Sequence, residues 1–442
     1  MTLSVDAIRD CLEGAVPSLV ATCAPDGTPN VSYVSQVHYV DPGHVALTYQ
    51  FFNKTRANVL ANPRTTLFLV HPETLARYRV AATYLRTETA GPLFESMKAK
   101  LAGIASHTGM TGVFRLLGAD IYRVLEIAAV PGAQLPAPAP RRSLLAAVRA
   151  SAERLGACGD LASLFDATLD CLERHFDVRH AMLLMYDGAL ERLYAVASRG
   201  YASSGVGAEI PLGRGVIGVA ARERAPIRIA DATTEYGYGR AARAGAAALG
   251  AQLEDEIPFP GLPGSRSQLA VPVVACGRLA GAIYVESLEY QRFGYDDEDA
   301  LVALAAQLGA SIPLLQAAEA GEDAPAAAPE RAPVEGAAVA VRHYAANDSV
   351  FVGDDYLIKG VAGSILWKLV RDYVERGRVE FSNRELRLDP SIRLPDVSDN
   401  LEARLVLLAR RLEERCPVLR IEKTGRGRFR LCVRRPLRLV SG

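Results

Sequence analysis

Between residues 18 and 70 the chain carries short runs in which apolar and polar residues alternate. Residues 18–23, 30–40 and 44–49 follow this pattern, which predicts strands because successive side chains of a strand face opposite sides of a sheet. Pro25-Asp26-Gly27 separates the first two runs and Asp41-Pro42-Gly43 the next two; both are suited to tight turns. A short helix is predicted over 6–14, a second from 53 until Pro63 stops it, and a further strand over 64–70. Strands joined by hairpins predict a small antiparallel barrel.

Helical spacing dominates residues 141–176. Asp160 starts a helix whose apolar face is Leu161, Leu164, Phe165, Leu169 and Leu172, the i, i+3, i+4 recurrence of a buried stripe. Strands are predicted over 181–186, 192–198, 226–231, 267–274 and 279–286, with a glycine-rich strand-to-helix turn over 210–221. A long helix begins near Asp296, which the pattern places as its N-cap. Residues 236–264, first Ala- and Gly-rich and then Pro-rich, are expected to form a mobile cover for a pocket. Toward the C-terminus, short strands are predicted over 350–352 and 356–358, then a helix over 362–375. Ser382 and Glu385 form a capping box for a second helix, which Asp389-Pro390 ends. A third helix over 398–416 precedes a hairpin of 418–423 and 428–433 around Thr424-Gly425-Arg426-Gly427.

Composition divides these elements into domains. The 442 residues are too many for one ordinary core, and typical domains of about 100–200 residues predict three. Two linkers stand out. Residues 131–140 (PGAQLPAPAP) are proline-rich, and residues 317–338 are low-complexity Ala, Pro, Glu and Gly. The expected units are 1–130, 141–316 and 339–442. The seven cysteines and seven histidines are dispersed without metal-ligand spacing, which fits reduced cytoplasmic thiols. No apolar run of the roughly 20 residues that span a bilayer is apparent, nor is a signal peptide, so a cytoplasmic protein without membrane contact is expected.

The zero net charge conceals an asymmetry. From Ala340 onward there are 21 Lys and Arg against 14 Asp and Glu, a net +7, and from Ala403 onward 12 against 3, a net +9. The preceding chain is therefore at −7. An acidic body beside a basic tail predicts that the two touch when no other polyanion is present.

The hairpin VSYVSQVHYVDPGHVALTYQ, the helix start NKTRANVLANP and the strand TTLFLV resemble the pyridoxamine 5'-phosphate oxidase-like FMN-binding split barrels, over roughly 12–128. That resemblance implies phosphate contacts at Lys54 and Thr55 with Asn58 on the same helix, and flavin-lining positions at Ser35, Gln36, Val37, Thr48 and Tyr49. A helix N-terminus beside a lysine suits a phosphate physically. The Arg-rich strand and the Arg-Lys pair of the authentic oxidase are replaced here, which argues against oxidation of pyridoxamine phosphate. Relatives of this fold bind heme, a deazaflavin or nothing, so heme and an empty barrel are the alternatives to FMN; His38, His44 and His71 are the histidines available to a heme.

The turn IPLGRGVIGVAA, the strand PIRIAD, the hairpin LAVPVVACGRLAGAIYVES and Phe293 with Asp297-Glu298 resemble a GAF domain, which implies a small-molecule pocket or a dimer module. The Asn-Lys half of the cyclic-nucleotide signature is missing, and Cys276 sits near the apex of the last hairpin. The stretch NLEARLVLLARRLEERCPVLRIEKTGRGRFRL resembles the DNA-binding domain of OmpR-type response regulators over about 345–435. The whole chain is thus expected to be a multidomain α+β protein: split β-barrel, GAF α/β sandwich and C-terminal winged helix-turn-helix. Helix 398–416 would enter the major groove and the wing would touch phosphates or the minor groove. The candidate contacts to double-stranded DNA are Arg404, Arg410, Arg411, Arg415, Lys423, Arg426 and Arg428, since arginine suits both guanine edges and phosphates. The receiver domain of that family is absent, so any switch lies in the two upstream domains.

Together these features predict a cytoplasmic, homodimeric one-component transcriptional regulator that senses a flavin, redox state or small ligand. The alternatives are an FMN-dependent oxidoreductase carrying regulatory domains and an adaptor using its basic domain on a protein. No acid, base or nucleophile constellation stands out.

Overall fold

The computed structural model describes residues 3–12, 16–34, 37–49, 54–107, 116–137, 143–229, 259–320, 335–392, 394 and 400–441. Among them, the N-terminal strands are β1 (Ser18–Cys23), β2 (Pro29–Val34), β3 (Val37–Asp41), β4 (His44–Tyr49), β5 (Arg64–Val70), β6 (Arg77–Glu88) and β7 (Gly118–Val130). They form one antiparallel sheet in the order β2-β1-β5-β6-β7-β4-β3. Its core is Val20, Val37, Val45, Leu47, Leu67, Leu69 and Val80, closed by Val5, Ile8 and Leu12 of a 3-10 helix spanning Asp6–Leu12. Helix α1 (Lys54–Ala61) follows β4, and α2 (Pro92–His107) joins β6 to β7. The single strand expected over 30–40 is two strands on opposite edges of the sheet. The alternation changes phase there: Val31 and Tyr33 are exposed while Val37 is buried, which one continuous strand on one sheet face cannot accommodate.

The middle unit comprises α3 (Leu144–Gly156), α4 (Leu161–Phe176), β8 (His180–Asp187), β9 (Arg192–Arg199), β10 (Glu209–Pro211), α5 (Gly215–Glu223), β11 (Ile227–Ile229), β12 (Ser267–Ala275), β13 (Arg278–Ser287) and α6 (Tyr295–Ala320). The sheet order is β10-β9-β8-β13-β12-β11. One face buries Leu183, Met185, Val271, Val273, Ile283 and Val285 in a core shared with α4 and α6 residues such as Leu164, Phe165, Leu301 and Leu308. The other buries Met182, Leu184, Ala270, Ala282 and Tyr284 with Val216, Ile217 and Ala220 of α5. Asp160 is the N-cap of α4, accepting from Ser163 N at 2.8 Å, and Ser163 Oγ in turn accepts from Asp160 N at 3.3 Å. Gly218 must be glycine, because a Cβ there would lie 2.4 Å from Pro211 O.

Helix α6 departs from expectation in three ways. It starts at Tyr295, so Asp296 lies within its first turn and Asp297 takes the Gly294 N–H at 3.0 Å. It runs to Ala320, into the segment expected to be linker. It is also long and apolar enough, by length and composition, to cross a membrane. Its apolar side is nonetheless used within the fold, where Leu301, Leu304, Leu308 and Ile312 are buried in the core.

The C-terminal unit holds β14 (Val339–Tyr344), β15 (Ser349–Val352), β16 (Asp355–Ile358), α7 (Gly360–Arg376), β17 (Glu380–Ser382), α8 (Asn383–Leu388), α9 (Leu401–Arg415), β18 (Leu419–Gly425), β19 (Arg428–Val433) and β20 (Leu437–Ser441). Two sheets flank the helices: β16-β15-β14-β20, with β20 parallel to β14, and β17-β19-β18. Ser382 caps α8 by accepting from Glu385 N at 3.3 Å. The sequence pattern did not mark β14, β17 or β20; β17 and β20 lie on sheet edges, and β14 is held between β15 and β20.

Candidate functional site

Helix α1 presents the candidate phosphate end of a cofactor site. Lys54, its first residue, is exposed, and the first turn contains no acidic residue. Thr55 Oγ1 accepts from Asn30 Nδ2 at 2.9 Å and lies 2.8 Å from Ser32 Oγ. Asn58 is turned inward, 4% exposed, and donates to Thr22 Oγ1 at 3.1 Å. It anchors the helix to the β1–β2 hairpin and does not face the exterior. Arg56, which the sequence did not single out, grips both carboxylate oxygens of Asp120 and donates to Thr87 Oγ1 at 3.1 Å. Nothing local in the sequence signalled it, because its partner lies far along the chain on β7. Arg56 is therefore committed to a buried carboxylate, and Lys54 is the cation that α1 holds outward.

Of the expected flavin-lining positions, Ser35 and Gln36 lie outside the described residues. Val37 is buried opposite Leu47, and Thr48 and Tyr49 stand opposite Ala119 and Gly118 on β7. The residues present fit an anionic phosphate at Lys54 and the start of α1, with Thr55 held by its neighbours. The barrel histidines are paired or buried. His44 Nδ1 is 2.8 Å from Asp41, and His71 Nδ1 accepts from the Glu73 and Thr74 amides. His38 is buried, and that burial, with Lys100 and Arg228 nearby, pushes its pKa well below the usual value. No His, Cys, Asp and Glu cluster that could hold a metal occurs among the described residues.

In the middle unit, one sheet face carries a buried polar cluster. Glu286 accepts from Leu262 N at 3.0 Å and from Tyr284 OH at 3.2 Å. Burial pushes its pKa up despite these donors. Gln268 and Ser265 lie beside each other at 3.4 Å. This cluster holds residues 262–265, at the end of the expected cover, against the sheet; residues 230–258 lie outside the described residues. Cys276 is exposed at the hairpin apex.

The seven candidate DNA contacts are divided by the structure. Arg404 is 7% exposed; its guanidinium pairs with Asp187 and sits 3.7 Å from the centre of the Tyr194 ring. Arg410 donates to Val196 O and to Asp166, both at 2.7 Å. Arg411 turns into its own unit, giving Nε and Nη2 to Leu357 O at 3.1 Å. Lys423 reaches Asp160 at 3.0 Å and Glu319 at 2.9 Å. Arg415 and Arg426 are exposed, and Arg428 is half-buried on β19. The acidic body and the basic tail do meet, and the meeting surface includes the face of α9 expected to read DNA.

Two family models match the chain. The pyridoxamine 5'-phosphate oxidase model matches residues 4–128, and the GAF domain model residues 160–312. The chain thus joins a split barrel of the first type to a GAF domain. Among solved structures, it resembles the GAF domain from an Acinetobacter phosphoenolpyruvate-protein phosphotransferase, at 20% identity and a TM-score of 0.32 over 40% of this chain and 98% of that one. An FMN-binding protein from Syntrophomonas wolfei subsp. wolfei is 15% identical, with a TM-score of 0.24 over 28% and 84%. A putative GAF sensor protein from Burkholderia vietnamiensis is 22% identical, with a TM-score of 0.29 over 38% and 89%. No curated protein matches.

Proposed function

We propose that the chain is a one-component DNA-binding regulator in which the barrel and GAF domain sense a ligand or redox state and the C-terminal unit is a winged helix. The observation that carries this reading is the basic C-terminal arrangement. Three helices precede a hairpin whose inner strand β19 pairs with β17, and the last forty residues carry a net +9. A compact unit with one long basic helix and a basic hairpin turn suits a polyanion, as sequence-independent phosphate contacts require. A barrel of the pyridoxamine 5'-phosphate oxidase type beside a GAF domain supports ligand or redox sensing.

FMN is the cofactor proposed for the barrel, with heme or none as alternatives; bound, it supplies one- or two-electron redox chemistry. Lys54 and the first amides of α1 would hold its phosphate, and Thr55, fixed by Asn30 and Ser32, would orient it. A homodimer is also proposed: Val31 and Tyr33 on edge strand β2, and Leu145 and Leu314 on α3 and α6, are exposed apolar side chains of the kind that a second copy covers. The visible spectrum of the purified protein tests the cofactor: a flavin spectrum supports FMN, a Soret band heme, and a colourless protein an empty barrel. Selection of bound genomic fragments, followed by titration at several salt concentrations, tests the regulator. Specific fragments whose affinity falls as salt rises are expected; no specific fragment, or affinity indifferent to salt, sinks the reading. FMN turnover with a reductant would instead favour a flavin oxidoreductase.

A further inference from the structure

We propose that the GAF domain holds the C-terminal unit in an autoinhibitory clasp, in which carboxylates of the GAF domain occupy the basic groups that DNA phosphates would otherwise engage. The inference rests on the DNA-binding reading and adds to it a closed state. Helix α9 lies between two surfaces. Leu401, Leu408 and Leu412 are buried in the core it shares with α7, and Arg411 is bonded to Leu357 O of β16. Asn400, Arg404, Arg410 and Glu414 reach the other way. Asn400 donates to Tyr186 O at 2.7 Å, Arg404 pairs with Asp187, Arg410 with Asp166, and Glu414 accepts from Ser204 Oγ at 2.6 Å.

The hairpin turn is held in the same manner. Lys423 bridges Asp160 and Glu319, and Gly427 lies against Glu319 O, where a Cβ would be 2.5 Å away. The C-terminal end of α6 therefore faces the basic turn, a favourable end for cations. Four carboxylates (Asp160, Asp166, Asp187 and Glu319) thus answer three of the cations assigned to DNA. A duplex cannot reach Arg404 or Arg410 while β8, β9 and α4 cover them, so the GAF domain and DNA compete for one face.

Strand β9 offers a route for a signal. Its side chains alternate: Tyr194 and Val196 lie in the core shared with α9, whereas Leu193 and Ala195 lie in the opposite core with α5 and β11. A ligand seated on that opposite face would loosen the clasp to the extent that it binds the undocked state more tightly.

Two full-length variants test the clasp without altering α9. Asp187→Asn keeps an oxygen for the Ala189 and Leu190 amides but removes the charge facing Arg404. Ser204→Glu sets a carboxylate against Glu414 at the rim, where neither core is disturbed. Small-angle scattering reads domain separation, and fluorescence anisotropy reads binding to a labelled mixed-sequence duplex at low salt. The expected result is a larger radius of gyration and affinity tightened roughly tenfold, a shift of about 1.4 kcal/mol, in both variants. Expansion with affinity equal to wild type overturns the clasp and leaves the DNA reading standing. Expansion with no duplex binding by any form overturns the DNA reading and the clasp with it. An unchanged radius in both variants shows that these contacts do not hold the domains, and also overturns the proposal.

Discussion

Replacing Gly309 by alanine should destabilise the GAF domain, although the same change in a free helix would stabilise it. Gly309 lies in α6 where the helix crosses β12, and a Cβ there would stand 2.2 Å from Val274 O and 2.9 Å from Val274 C. Ordinary contact begins near 3.4 Å, so helix and strand must separate by about an ångström. The neighbours Leu304, Leu308 and Ile312 are fully packed, and a helix cannot retreat locally without opening those contacts. Overpacking of this kind costs about 1–3 kcal/mol, while the gain in helix propensity from Gly to Ala is about 1 kcal/mol. The net loss should reach up to about 2 kcal/mol. Gly156, the last residue of α3, meets nothing within 4 Å, so Gly156→Ala should instead gain a few tenths to about 1 kcal/mol. Urea unfolding followed by far-ultraviolet circular dichroism measures both. Trp367, the one tryptophan of the chain, lies in α7, so its fluorescence separates the C-terminal transition from that of the GAF domain. If Gly309→Ala stabilises as much as Gly156→Ala, the close approach of α6 to β12 is wrong.

Glu286 should make the GAF domain less stable as pH rises. Its folded pKa is raised by burial above the ordinary 4.5, so its favourable contribution is complete below that value and is lost as pH climbs through the raised folded value. Melting temperatures of wild type and Glu286→Gln from acid to neutral pH should diverge accordingly, and parallel profiles would refute this. Lys54→Ala should weaken FMN uptake at least several-fold by equilibrium dialysis while leaving the melting temperature unchanged, because the side chain is exposed; equal uptake removes Lys54 from the phosphate site. Arg411→Ala should destabilise the C-terminal unit by about 1–3 kcal/mol, read from Trp367 fluorescence, because it strands the Leu357 carbonyl. Arg415→Ala, on the exposed side, should stay within about 0.5 kcal/mol of wild type and lower the salt dependence of DNA binding by about one charge; the reverse pattern would exchange their roles.

Most of the architecture was legible in local patterns. The Asp160 and Ser382 caps, the helix stop at Pro63 and the strands of both GAF hairpins follow from neighbours within a few residues, where hydrogen bonding and periodicity act directly. Strand pairing between distant segments left little trace. The break between β2 and β3 appears only as a phase change at Val37, and β14 takes its place between β15 and the distant β20. Helix α1 was also visible, but the role of Arg56 was not, because its partner Asp120 is on β7 and only the folded sheet brings them together.

The sequence by itself determined that a barrel, a GAF domain and a basic C-terminal unit follow one another, and that charge is divided between an acidic body and a basic tail. Those properties reside in composition and short-range spacing. Which basic residues remain available was decided only by the tertiary structure. Arg404, Arg410, Arg411 and Arg415 look alike along one helix, yet packing gives Arg404 and Arg410 to GAF carboxylates, Arg411 to Leu357 O and Arg415 to solvent. Helical spacing states which side chains share a face; what covers that face depends on segments far away in the chain.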